Sequence, residues 1–360
     1  MALTGETKQA VSTDTTNTVP PASETPVPAG ASAPPEPLSI GEAGGADNFS
    51  DTDSAIGTSD FTSLTSLSES IREFRIENGR TYHSLSAGKY WCPNDDLENS
   101  RLDLQHHAHR LTFGGALSCC PKSTGAKRVL DLGTGTGIWA IEYADEHPEA
   151  EVVGVDLSPI QPAFVPPNCS FEVDDVEKEW TWSQPFDFIY WRALLGCFSD
   201  PQTIVQKCFD NLEPGGYLEM HDGYFPIECD DETLPADCSL LEMTKLAREG
   251  AARLGRPMDV SPQYPKMMEK AGFVDIVTVK YKWPINPWPQ DRKLKTLGHW
   301  NLANVDGGLE GLHLALLTRG LGWTKEETLA LCAEVRKDLR NQAYHAYWPV
   351  IYCYGRKPEE

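Results

Sequence analysis

The stretch Val129–Pro162, VLDLGTGTGIWAIEYADEHPEAEVVGVDLSPIQP, sets three glycines two residues apart between one apolar run and a helix-forming segment. Gly133, Gly135 and Gly137 would let the backbone approach a ligand closely and aim N–H groups at it. Two ligand chemistries use such a loop. A dinucleotide fingerprint reads G-x-G-x-x-G, and its third glycine falls here on Ile138. Asp131 precedes the first glycine by two positions, where an acid repels a pyrophosphate and attracts an ammonium. S-adenosylmethionine carries an amino-acid tail with an ammonium and a carboxylate, so D-L-G-T-G-T-G suits that ligand better than NAD.

On this reading Asp131 faces the ammonium, and the loop Gly133, Thr134, Gly135 and Gly137 faces the carboxylate. Asp156 closes the second apolar run, 21 residues after Gly135. An acid there, followed by Leu157, accepts from both ribose hydroxyls, each such bond contributing about 1.5–3 kcal/mol. Asp174 and Asp175 follow the third run, and Asp175 with the Val176 N–H is favoured for the adenine edge. Arg192 follows the fourth run, near the expected methyl position. These groups fall in order at successive strand ends, where open α/β sheets bind ligands.

Methyl transfer from a sulfonium mainly needs alignment of the acceptor. A base is required only for a weakly acidic hydroxyl or a protonated amine. Candidates are His221, Asp222, His83 and Tyr90, with His221 the best placed and Tyr90 the second choice. His106, His107 and His109 share one expected helix but lack Cys or acid at ligand spacing, so no metal is expected. Trp180, Trp182, Trp191, Trp283, Trp288 and Trp300 are the aromatic candidates for an acceptor pocket, with Trp191 foremost.

The elements that must hold these residues alternate. Strands are expected at Arg128–Leu132, Glu151–Asp156, Cys169–Val173, Phe186–Tyr190 and Gly216–His221, and helices at Ile138–Glu146 and Thr203–Asn211, the latter ended by Pro214-Gly215-Gly216. This rhythm predicts a doubly wound α/β fold with a mostly parallel sheet. Upstream, Ile71–Leu117 reads as helix with a loop at Pro93-Asn94-Asp95, and Asp95 or Asp96 is placed to cap a helix. Downstream, helices are expected over 234–254, 264–273 and 290–342, and strands over 273–283 and 346–354. Residues 1–68 are rich in Thr, Ser, Pro, Ala, Gly and acid and are expected to be a disordered tail; the helical spacing of Phe61–Phe74 marks the start of the fold. The expected domain, 69–360, divides into an N-terminal helical cover (69–126), a cofactor-binding core (127–223) and substrate-side helical insertions with the last two strands (224–360).

Composition narrows the function. Lys and Arg number 31 against 53 Asp and Glu, a formal net charge of −22, which disfavours direct nucleic-acid binding. Ten scattered cysteines without a C-x-x-C pair suit a reducing compartment, cytoplasmic or nuclear. The opening MALTGETKQA lacks the apolar run of a secretory signal, and no run is long enough to span a membrane.

The chain resembles the class I S-adenosylmethionine-dependent methyltransferases, and within them the fungal LaeA-like group. The stretches that carry this are YHSLSAGKYWCPNDDLENSRLDLQHH, VLDLGTGTGIWAIEYADEHP, VVGVDLSPIQPAFVPPNCSFEVDDVEKEW, FDFIYWRALLGCF and LEPGGYLEMHD. The glycine loop marks the superfamily; P-N-D-x-x-E-x-x-R is more specific to the group. The resemblance implies a seven-stranded sheet whose last strand is antiparallel. It places Asp131, Gly133, Gly135, Gly137, Asp156 and Asp175 at the cofactor. It implies a methyl acceptor, either a small molecule of secondary metabolism or, for a regulator acting with a protein partner, a protein. A scaffold that binds the cofactor without turnover is the third expectation.

Overall fold

A computed structural model describes residues 73–359. The expected tail, 1–68, and most of Phe61–Phe74 lie outside the described residues.

The described chain opens with a hairpin, not a helix. Strands β1 (Arg75–Glu77) and β2 (Arg80–Tyr82) pair antiparallel with Glu77 opposite Arg80. The connecting Asn78 and Gly79 have φ of 53° and 83°, the two positive values that a tight hairpin turn needs and that Asn-Gly supplies. Helix α1 (Asp96–Thr112) follows, and Asp95 caps it by accepting from the Glu98 N–H at 3.1 Å. The same carboxylate pairs with Arg80, tying hairpin to helix.

Strands β3 (Arg128–Leu132), β4 (Glu151–Asp156), β5 (Cys169–Val173), β6 (Phe186–Arg192), β7 (Leu212–Gly223), β9 (Val274–Pro284) and β10 (Ala346–Arg356) form the sheet in the order β5-β4-β3-β6-β7-β10-β9. The first five are parallel; β10 runs antiparallel to both neighbours. A short β8 (Glu228–Cys229) adds to β10. Pro214-Gly215-Gly216 does not precede β7 but lies inside it. Pairing jumps from Phe186–Leu212 to Phe188–Tyr217, so the extra residues are accommodated as an irregularity rather than a break.

Helix α2 (Ile138–Glu146) crosses one face of the sheet. Its Trp139 is buried, stacks on Tyr190 of β6 with centroids 3.8 Å apart, and donates to the Leu117 carbonyl. Truncating it to Ala should cost about 3–5 kcal/mol and loosen the loop that α2 terminates. Helices α3 (Pro201–Asp210), α4 (Ser239–Arg253) and α5 (Tyr264–Ala271) join the larger core on the other face, with Leu130, Leu132, Val153, Val155, Ile189 and Trp191 pointing into it. Neighbouring strand residues thus serve opposite cores: Val129, Phe188 and Tyr190 belong to the α2 side. Helices α6 (Arg292–Ala315) and α7 (Lys325–Arg340) complete the chain before β10.

Helix α6 packs on α1 at very close range. A Cβ on Gly308 would lie 2.0 Å from Arg101 Cδ. Arg101, on α1, is buried and bonded to Glu98 and to the Asn304 side chain of α6. Glu98 and Arg101 of the P-N-D-x-x-E-x-x-R block are therefore the joint between the cover helix and the late insertion.

Candidate active site

At the carboxyl ends of the parallel strands two cavities lie side by side. Tyr90, Leu102, Gln105 and Ala193 line both. The first cavity is walled by the strand-end loops of β3, β4, β5 and β6 and covered by the segment around Lys89–Asn94.

The glycine loop begins this wall. Gly133, Gly135 and Gly137 have φ of 63°, 57° and 79°, values strained for other L residues. At Gly133 an added Cβ would also lie 2.4 Å from a Leu194 methyl. Asp131 is buried, accepts from the Thr134 hydroxyl at 2.6 Å, and has its carboxyl pushed up to about 7 by burial against the attraction of Arg192. Asp156 accepts the Gly135 and Ser158 N–H groups, both at 2.9 Å, and burial lifts it to about 6 in spite of them. Each of its oxygens keeps acceptor capacity for a further donor.

Asp174 is exposed and accepts from the Asp175 N–H. Asp175 is buried. Burial works to raise its pKa, but Lys89 at 2.5 Å and Ser86 at 2.7 Å hold it below the usual carboxylate range. Lys89 also pairs with Glu177, so the cover segment is fastened at this end by charge. Arg192, at the end of β6, bonds His106 Nδ1 at 3.0 Å. Asp131, Gly133, Thr134, Gly135, Asp156, Leu157, Asp174, Asp175, Val176 and Arg192 all line this cavity. Gly137 does not; it packs against the Phe171 ring.

The second cavity is different in character. Its wall comes from α1, α4, α6, α7 and the ends of β7, β9 and β10, and it is mostly apolar and aromatic. Arg101 in this wall is neutralised by Glu98. Asp222 accepts from Trp191, Tyr264 and the Leu195 N–H. Trp91 and Trp283 each bury an indole N–H with no protein acceptor.

His221 lines this cavity, but both its ring nitrogens are engaged. Its Nε2 donates to Glu219 at 2.5 Å, and Tyr190 donates to its Nδ1 at 3.1 Å. Burial keeps the imidazole neutral. Glu219, fully buried, also accepts from the Ser118 hydroxyl and the Cys119 and Cys120 N–H groups; against burial, His221 first and then these donors hold it anionic. Cys119, Glu219 and His221 are the one trio with metal-ligand spacing among the described residues, and these donors already fill the carboxylate. His83 pins the cover: Nδ1 donates to the Leu85 carbonyl and Nε2 accepts from the Tyr90 N–H.

Trp191, the foremost aromatic candidate, lines neither cavity. It is fully buried in the core, donating to Asp222 behind the wall. The alternation that turns Tyr190 toward α2 turns Trp191 the other way. Of the six tryptophans singled out by sequence, Trp283 alone lines either cavity; Trp91 and Trp348 do so as well.

His109, set aside as a metal ligand by its spacing, lines the second cavity. Its Nδ1 lies 3.0 Å from the Tyr352 hydroxyl. In the tautomer that carries its proton on Nδ1 and donates it to that hydroxyl, Nε2 keeps a lone pair. Burial depresses the imidazole well below its usual pKa, so it is neutral. The spacing Leu102, Gln105, His109 was the available signal: one helix face, turned to the cavities.

A methyltransferase-domain family model matches residues 104–277. "Methyltransferase pytC" of Aspergillus terreus is 38% identical over 298 residues, 82% of this chain and 92% of that protein. "Probable methyltransferase tdiE" of Emericella nidulans is 35% identical over 292 residues, 81% and 92% of the two chains. "Protein-methionine methyltransferase laeA" of the same organism is 34% identical over 307 residues, 84% and 81%. The chain belongs to the class I S-adenosylmethionine-dependent methyltransferases, in the fungal LaeA-like group. It is an enzyme of that type, with S-adenosylmethionine as its methyl donor.

Proposed function

We propose that the chain methylates an uncharged, largely apolar small molecule of secondary metabolism at a hydroxyl oxygen. The observation that carries this is the apolar cavity sharing a wall with the strand-end cavity. Its Arg101 is paired with Glu98 and its Asp222 is held by the neutral donors of Trp191, Tyr264 and Leu195, which favours an acceptor without formal charge. The unpartnered indole N–H groups of Trp91 and Trp283 offer donors to acceptor oxygens.

S-adenosylmethionine, when bound, supplies a methyl group on a sulfonium that leaves as a neutral thioether. Asp131 would hold its ammonium, Asp156 its ribose hydroxyls, and Asp175 with Val176 its adenine edge. Arg192 borders the same space. Tyr90, Leu102, Gln105 and Ala193 form the collar through which the acceptor oxygen reaches the methyl carbon. His109, rather than the fully engaged His221, takes the hydroxyl proton on Nε2. Positive charge is then neither gained nor lost in the site, because a sulfonium disappears as an imidazolium forms.

A second reading is a protein acceptor and a regulatory protein partner, motivated by the relative named a protein-methionine methyltransferase. A thioether has no proton to lose, so His109 would be dispensable for it. All ten cysteines are free, which fits a reducing site, cytoplasmic or nuclear. No described helix is long and apolar enough to cross a membrane.

The test is calorimetric titration with S-adenosylmethionine, beside Asp156→Ala and an NAD control, followed by labelled-methyl transfer to phenolic metabolites and to protein. Saturable binding absent in the variant, with label in the phenols, is expected. Label confined to polypeptide would replace this reading with the second. No binding by the folded chain would overturn both.

A further inference from the structure

Of the fixed positions in the P-N-D-x-x-E-x-x-R block, Asn94 is the polar one that neither cap nor joint uses. Asn94 is 7% exposed and lines the strand-end cavity. Its backbone N–H is fixed to the Thr81 carbonyl at 2.8 Å. Its Nδ2 donates to Ser158 Oγ at 3.2 Å, and its Oδ1 has no partner. A buried carboxamide oxygen left unpaired in an otherwise satisfied wall is a position that a ligand donor completes.

Which donor is set by the neighbours. Ser158, bonded to Asn94 by its hydroxyl, is bonded to Asp156 by its N–H. Asn94 therefore stands at the Asp156 end of the cavity, with Asp175 and Asp131 serving other parts of the wall. We propose that Asn94 is a cofactor-binding residue whose carboxamide oxygen accepts from a ribose hydroxyl of the methyl donor, sharing the sugar with Asp156. This rests on the reading of the cavity as the S-adenosylmethionine site. It gives the cover segment a selective function: a ribose is held from the sheet by Asp156 and from the cover by Asn94, so a deoxyribose loses the contact that spans the two.

The experiment is calorimetry of the full chain with S-adenosylhomocysteine and its 2′-deoxy and 3′-deoxy forms, on wild type, Asn94→Ala and Asp156→Ala. Asn94→Ala should weaken S-adenosylhomocysteine about tenfold. One of the two hydroxyl deletions should weaken binding to wild type by a clearly larger factor than to Asn94→Ala. Unchanged affinity in Asn94→Ala, or equal losses in both proteins for both deoxy ligands, would overturn the assignment. If wild type binds and Asp156→Ala does not, while Asn94→Ala matches wild type, the cavity reading stands and the Asn94 assignment alone fails. No binding by wild type sinks both. If Asn94→Ala does not fold, a crystal structure of the wild-type complex decides. An Asn94 oxygen about 2.5–3.0 Å from a ribose hydroxyl is required, and any other partner, or none, overturns the proposal.

Discussion

The two cavities sharing the Tyr90–Leu102–Gln105–Ala193 collar are built by opposite means. The strand-end side carries a row of carboxylates, and most of its wall comes from the loops between Asp131 and Phe198. Its carboxylates are fixed by backbone N–H groups and short side-chain bonds. The acceptor side is apolar and gathers residues from Tyr90 to Val350. Its Arg101 is paired with Glu98, and its Asp222 is held by Trp191, Tyr264 and the Leu195 N–H. A ligand common to a family needs fixed polar partners, which local backbone geometry can supply. A particular acceptor needs shape, which packing of distant helices supplies. Variants on each side should therefore act separately, and that independence can be attacked directly.

The largest effect belongs to His109→Gln. With a phenolic acceptor, turnover should fall about 10²–10⁴-fold, while calorimetric affinity for S-adenosylhomocysteine stays within twofold. Unchanged turnover would remove His109 from the proton path and favour an acceptor that loses no proton. Asp156→Ala comes next: S-adenosylhomocysteine should bind at least 100-fold more weakly, equivalent to about 2.7 kcal/mol. Binding of 1-naphthol, followed by tryptophan fluorescence, should not change. Met243→Trp is the mirror case. Met243 is buried on α4 in the acceptor wall, and overfilling there should weaken 1-naphthol about 30-fold, from roughly 2 kcal/mol of overpacking. Loss of S-adenosylhomocysteine binding in that variant would break the separation.

The smallest effect is a pH dependence confined to the polar side. Asp131 titrates near 7 without ligand, and it must be ionised to face an ammonium. Affinity for S-adenosylhomocysteine should therefore fall as pH drops from 7 to 6, by less than about tenfold. Asp131→Asn should bind more weakly and flatten the profile. Stability of the unliganded fold carries the opposite sign. A carboxyl raised by burial holds its proton better folded than unfolded. The contribution of Asp131 and Asp222, the latter also near 7, is full below the unfolded value and lost as pH rises through about 7. Thermal melts from pH 5 to 8 with Asp222→Asn as the comparison check this.

Sequence carried the polar side well because its residues sit at fixed offsets from strands that announce themselves as apolar runs. Asp131, Asp156 and Asp175 fall on successive strand ends and line one cavity. The hairpin at Asn78-Gly79 was readable too, since that pair is a strong local turn signal, but its strands are three residues each and give almost no alternation. The acceptor side was much less legible. His109 and Tyr352 are 243 residues apart, and their partnership decides which ring nitrogen is free. Likewise nothing adjacent to His221 reveals that Tyr190 will occupy its other nitrogen. Its Glu219 partner, two residues away, was visible but needs the strand's facing to be interpreted.

The single face of α1 that presents Leu102, Gln105 and His109 also makes the helix a spacer. An α-helix turns about 100° per residue. Losing one residue between the Asp95 cap and Leu102 would swing all three side chains off both cavities and pull Arg101 from Glu98 and Asn304. Point substitutions at Met243 of α4 or Leu309 of α6, which line the apolar cavity, leave the register of α1 alone. The length of α1 is thus a ruler against which both cavities are set, while the residues of the late helices can change the shape of the apolar one alone.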